Sequence, residues 1–196
     1  MSENVLTLEF LEKHHACRHW KAEFEYEFPN GIEWTPENIL GATPKYNRVL
    51  SWAYQQDKRF KIDLSGMDLR GFNLYRSEFY MADLSNTDLR GVNLRRSDLM
   101  GADLRGARLD GADLSYSELH EANLAGAILK NTDLRESVLI KAILKNADLT
   151  HANLRGAYLR RAILRGAILR GAKLDWADMA LVDDAGAVYD WGVMRK

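Results

Sequence analysis

The chain has 196 residues, 27 basic and 28 acidic side chains and a formal net charge of −1. So even a balance gives no bulk attraction to nucleic acid or to an anionic membrane, and a single cysteine, Cys17, rules out an intramolecular disulfide and fits a reducing, cytoplasmic setting. No stretch approaches the roughly 20 apolar residues that span a bilayer, and residues 1–15 carry acids without the continuous apolar core of a secretory signal.

Residues 1–61 hold all three prolines, Pro29, Pro36 and Pro44, and read as a mainly helical N-terminal cap. Val5, Leu8 and Leu11 have the spacing of a short amphipathic helix. The run EYEFPNGIEW reads as a hairpin turning at Pro29-Asn30-Gly31. Thr35-Pro36-Glu37 reads as an N-cap with proline in the first turn, and Gly41 as the stop. Tyr46 to Phe60 places Val49, Leu50, Trp52, Ala53 and Phe60 at helical spacing. A second reading makes this leader a separate recognition module. His14, His15, Cys17 and His19 form the one metal-like cluster. On a helix His15 and His19 share a face; on a strand His15, Cys17 and His19 do. Neither arrangement supplies a fourth ligand at zinc spacing, so a polar helix face is the better account, and no metal or cofactor is expected.

From Leu64 to Leu174 leucine returns every fifth residue, with Phe79 as the one substitution, and Met179 keeps the beat. Five residues on a helix overshoot one turn by about 140°, which would sweep the leucines around every side. On a strand, an odd spacing throws successive side chains to opposite faces. The leucines can share one interior only if the chain turns once per repeat and coils into a solenoid. Leu64, Leu84, Leu104, Leu124, Leu144 and Leu164 then form one core ladder. Two residues before each leucine stands a small residue, mostly Ala or Ser, at a second inward position. The residue before leucine is mostly Asp or Asn, and the one after is often Arg or Ser. Gly follows in many repeats, as a turn with positive φ requires. Arg76, Tyr116, Glu121 and Arg161 also stand at that corner, which argues that positive φ is not obligatory there. Ile62, Met67, Phe72 and Phe79 enlarge the apolar content of the first coil, as expected where a cap docks.

The runs AILRGAILRGAKL and GADLRGARLDGADL resemble the A-[D/N]-L-x-x pattern of the pentapeptide-repeat family over residues 62–181. The resemblance implies an all-β solenoid, a right-handed four-sided parallel β-helix with one pentapeptide per side. About six coils at about 4.8 Å each give a rod roughly 29 Å long. Residues 182–196 read as a short helical C-terminal cap, starting near Asp183 or Asp184, with Val188, Trp191 and Met194 on its apolar side.

Function must then lie on the outside. His120 and His151 face outward with no Ser or Cys nucleophile in register, and every glycine of the array obeys the five-residue beat, so no phosphate loop is present. This argues against an enzyme. Charge is uneven: residues 62–121 carry 11 acids and 7 bases, and residues 122–181 carry 5 and 10. The basic end includes Arg155, Arg160, Arg161, Arg165 and Arg170. Where the repeat expects Asp or Asn, the late coils have Ile128, Val138, Ile143, Tyr158, Ile163 and Ile168, joined by Ile140 after a leucine. These should form one apolar zone over three adjacent sides.

Three functions follow. The first is a non-enzymatic scaffold that docks a protein partner, with a homodimer through the C-terminal coils as the preferred form. The second comes from the resemblance: one branch of the family mimics DNA with an acidic dimeric rod and protects or inhibits DNA gyrase. The basic second half and the lack of projecting loops depart from that branch. The third is nucleic-acid binding through the arginine-rich end, disfavoured by the neutral total charge and the lack of interleaved exposed aromatics.

Overall fold

The computed structural model describes residues 5–6, 32–33, 62–174 and 186–189. The chain forms two compact units, Met1–Ile62 and Asp63–Lys196. In the first unit, β1 (Val5–Leu6) pairs antiparallel with β2 (Ile32–Glu33), Val5 opposite Glu33 and Leu6 opposite Ile32. Val5 is therefore extended rather than the start of a helix, and Ile32–Glu33 pairs with β1. The other expectations for the leader, including the Tyr46–Phe60 helix and the cluster at His14, His15, Cys17 and His19, fall outside the described residues.

The second unit is a β-helix with a 20-residue period. Asp63 bridges Asp83, Asp83 bridges Asp103, and the same parallel step recurs through Asn153 and Lys173. Twenty residues per coil and one turn every five give four sides. The first side carries Leu64, the second Leu69, the third Leu74 and the fourth Phe79. All six residues of the Leu64–Leu164 ladder are buried, as are their counterparts Leu69, Leu89 and Leu109 on the second side.

The backbone explains the repeat. Each pentapeptide has five N–H groups, and a buried peptide group must find a partner. The central leucine donates to the next coil (Leu124 N to Ile143 O, 2.7 Å), and the residue before it donates to the previous coil (Ile143 N to Ala122 O, 2.9 Å). The corner residue also donates onward (Gly66 N to Ser85 O, 2.8 Å), and the residue after the corner closes a turn onto the preceding leucine (Ala107 N to Leu104 O, 3.1 Å). The fifth N–H, directly after leucine, has no ladder partner. The Asp or Asn two residues earlier accepts it, as Asp63 Oδ1 does from Ser65 N at 3.0 Å. The carboxylates at this position are thus local caps of the Asx-turn kind.

The corners correct one sequence expectation. Arg76, Tyr116, Glu121 and Arg161 all have positive φ, between 58° and 62°, and the glycine corners are positive too, from 65° to 84°. A turn closed between leucine and the residue three further on can also form with negative φ, so it is the register with the neighbouring coils that holds this corner left-handed whatever the side chain. Spacing compensates: where a long side chain occupies a corner, glycine often follows 20 residues later. A Cβ on Gly156 would meet Glu136 Oε1 at 2.5 Å, and one on Gly106 would meet Asn86 Oδ1 at 2.6 Å.

Small residues beside the leucines fit the crowded second inward position, and the hydroxyls among them are satisfied. Ser97 Oγ donates to Leu94 O at 2.5 Å and Thr132 Oγ1 to Leu109 O at 2.7 Å. Phe72 breaks this rule. It is 43% exposed in a column that continues with Val92 and Ala112, because a phenyl ring exceeds the space an Ala-sized position leaves. It therefore does not add to the buried first coil, whereas Ile62 and Phe79 do.

The tail also departs from expectation. Among its described residues, 186–189, there is no helix. β4 (Val188–Tyr189) pairs parallel with β3 (Ile168–Leu169), Val188 opposite Ile168, and Val188 N donates to Ala167 O at 2.8 Å. The offset is again 20 residues, so open peptide groups on the last coil recruit the tail into register although its sequence has lost the leucine beat.

Two stability outcomes follow. Leu124→Ala should lower the unfolding free energy by about 2–5 kcal/mol in denaturant titrations, because neighbouring coils cannot collapse into the space. Glu136→Gly should raise stability by up to about 1 kcal/mol by relieving left-handed strain, the opposite of glycine's usual effect in regular structure.

Candidate interaction surface

Asp at the position before leucine does more than cap the turn. When Arg stands just after the leucine, its guanidinium forks onto the same carboxylate. Arg70–Asp68, Arg90–Asp88, Arg105–Asp103 and Arg135–Asp133 each show Nη2 to Oδ2 at 2.6 Å. Hydrogen bonds from the Arg70 side chain and backbone hold Asp68 well down, at about 2. The Arg90 and Arg105 side chains similarly lower Asp88 and Asp103. Asp68, Asp88 and Asp103 of the early coils are therefore neutralised within the chain.

The late coils are built differently. Ile143 stacks on Ile163 on the first side, and Val138 stacks on Tyr158 on the fourth. On the second side Ile128 and Ile168 are not neighbours: Asp148 lies between them and pairs with Lys130 at 3.2 Å. The apolar zone is thus continuous on two sides and interrupted on the third. Tyr158 is 51% and Ile168 37% exposed, while Ile128, Val138, Ile140, Ile143 and Ile163 are half-buried.

The exchange has two consequences. The N–H groups of Lys145, Arg160, Arg165 and Arg170 lose the Asx acceptor that their counterparts have in the early coils. The same arginines lose the carboxylate that would neutralise them. Arg155, Arg160, Arg165 and Arg170 fall one to each side of a single coil, all exposed, with Arg161 at a corner. None of the five is ion-paired among the described residues.

One feature was missed in the sequence. On the fourth side the residue after the central position is Tyr80, Met100, His120 and Ile140 in successive coils, and Met100 is 39% exposed. Reading outward positions at intervals of 20 rather than five would have found this column. His120 lies 3.4 Å from Glu121, and Glu121 pairs with Lys141 at 2.7 Å. His151 overhangs Gly171. No group of His, Cys, Asp and Glu suited to a metal ion occurs among the described residues, and none of their helices is long and apolar enough to cross a membrane.

The lowered carboxylates set a pH window. All three folded values lie below the ordinary value near 4, that of Asp68 at about 2, so their contribution is present above that ordinary value and is lost as pH falls through the folded values. Denaturant titrations should show stability falling across that window, and replacing Asp68, Asp88 and Asp103 by Asn should flatten the fall.

The chain's repeats also match known proteins. HetL, a pentapeptide repeat protein involved in heterocyst differentiation regulation in the cyanobacterium Nostoc, is 32% identical over 64% of this chain, with TM-score 0.29. The chain spans 59% of HetL's length. A pentapeptide repeat protein from the Arabidopsis thaliana thylakoid lumen is 27% identical over 60% of this chain and 72% of its own, with TM-score 0.32. QnrB1, a plasmid-mediated fluoroquinolone resistance protein, is 20% identical over 67% of this chain and 91% of its own, with TM-score 0.30. No curated protein matches. The model for pentapeptide repeats matches in eight copies over residues 61–96, 77–115, 117–156 and 142–180. With the leucine ladder and the 20-residue register, this match means that the chain belongs to the pentapeptide repeat family.

Proposed function

We propose that this protein is a non-enzymatic, cytoplasmic scaffold that docks a protein partner through its late coils. One observation carries the reading: carboxylates that cap turns and neutralise arginines are replaced there by Ile, Val and Tyr. The exchange gives up the local turn-capping acceptor on each of these strands, and beside Arg160, Arg165 and Arg170 a neutralising carboxylate as well, and the fold gains no buried core in return. An apolar strip beside unneutralised arginines suits an acidic protein surface with aliphatic or aromatic side chains of its own. A rigid ladder presents these groups with little ordering cost. The same zone supports self-association.

A second reading, a DNA mimic acting on gyrase, is favoured by the stacked Asp63, Asp83 and Asp103 and the neighbouring Asp68 and Asp88. The arginine forks on Asp68, Asp88 and Asp103 blunt that acidic surface, so this reading ranks below the first. A supercoiling assay with and without quinolone is its test.

The scaffold reading is tested with Ile143→Asp combined with Ile163→Asp, both substitutions on outward strand positions. Light scattering should show the wild type larger than the variant, and capture from native cell extract should lose bands that the wild type retains. Equal mass and equal capture for the two proteins would exclude the late coils as an interaction surface.

A further inference from the structure

The first side has a gradient along its length, and among the described residues the fourth side has a related one, from Glu78, Asp98 and Glu118 to Val138 and Tyr158. Before its leucines stand Asp63, Asp83, Asp103, Asn123, Ile143 and Ile163, stacked in unbroken register. After them stand Ser65, Ser85, Arg105, Ala125, Lys145 and Arg165. One end is therefore acidic with short side chains, and the other is aliphatic with long basic ones. The corner that follows holds only Gly or Asn (Gly66, Asn86, Gly106, Gly126, Asn146, Gly166), so the adjoining edge is low along its whole length.

We propose that this face seats a second copy of the chain, antiparallel, about a two-fold axis passing between the Asp103 and Asn123 strands. This deepens the self-association reading above and rests on it. A two-fold axis lying in the face and crossing the coils keeps each column opposite itself in reverse order. Ser65 then faces Arg165, Ser85 faces Lys145, and Arg105 faces Ala125, a short side chain opposite a long one at every level. Asp63 and Asp83 lie two residues from those serines, about 7 Å along a strand, within reach of the opposing Arg165 and Lys145. Asp103 is satisfied within its own chain by Arg105 at 2.6 Å, so the centre adds no bare charge. Ile143 and Ile163 are covered by the partner's acidic end, where Asp63 and Asp83 already bond to Ser65 and Ser85.

The same operation fails elsewhere. The second side would set Arg70 on Arg170 and Asp88 on Asp148. The third would set Asp113 on Asp133, and the fourth would set long side chains on long ones, Met100 on Arg160 and His120 on Ile140. A parallel pairing of the first side would put the two acidic ends at one level and the two basic ends at another. Like charges brought together disfavour the second, third and parallel arrangements, and the fourth lacks the fit of short side chains to long ones. The face is only one pentapeptide wide, so the buried area falls at the low end for protein interfaces, below roughly 1,200 Å² in total. The dimer is reversible and weakened by salt.

A charge swap tests the geometry. Lys145→Glu with Arg165→Glu makes both ends of the face acidic, and Asp63→Lys with Asp83→Lys makes both ends basic. Sedimentation at low salt should show wild-type dimer at high concentration, each variant alone as monomer, and the equimolar mixture as heterodimer. In a Cys17→Ser background, Ser65→Cys should cross-link to Arg165→Cys when the two proteins are mixed, and neither should cross-link to itself. Those two positions are too far apart within one chain to form an internal disulfide. A wild type that stays monomeric to high concentration overturns both self-association and this geometry. A wild-type dimer whose swapped variants stay monomeric on mixing, or in which Ser65→Cys cross-links to itself, overturns the geometry alone.

Discussion

The fold depends on peptide groups being satisfied by the next coil at a fixed offset of 20 residues. Four of the five N–H groups in each pentapeptide are used by the ladder and the corner turn, and these bonds are what make the leucines stack. The same requirement explains the left-handed corners. If Arg76 or Glu121 relaxed to ordinary φ, the peptide groups above and below would lose their partners. Strain of about 1–3 kcal/mol per residue is tolerated because two coils hold it in place.

The fifth N–H connects the fold to the surface. Because it has no ladder partner, it selects Asp or Asn before the leucine, and that side chain then attracts an arginine two residues later. The alternating acids and bases of the early coils are therefore largely a by-product of turn capping. Where an arginine forks onto the carboxylate, as at Asp68, Asp88 and Asp103, the charge is satisfied locally, which blunts the stack of aspartates as a polyanion. The late coils, where the cap is abandoned for Ile, Val or Tyr, are the places where the surface departs from what the fold needs.

That contrast also separates what was legible from what was not. The Leu64–Leu164 ladder was legible because inward positions are constrained by one simple rule, volume at a period of five. The columns Ile143–Ile163 and Val138–Tyr158 followed once the period of 20 was assumed. The interruption at Asp148 was not drawn out, because its weight depends on the Lys130 side chain reaching across a coil. The fourth-side column of Tyr80, Met100, His120 and Ile140 was overlooked because those residues sit where Arg and Ser are common and differ in type from coil to coil.

The amino-acid order alone sets the period, the inward residues and the identity of each column, because these follow from spacing and side-chain volume. It could not decide the corner conformation at Arg76, Tyr116, Glu121 and Arg161, the exposure of Phe72, or the recruitment of Val188–Tyr189 into the ladder. Each of these depends on hydrogen bonds or space supplied by residues about 20 positions away. Local propensity is overruled there, since a left-handed arginine or a strand in a helix-like tail is unfavourable until the neighbouring coil is in place.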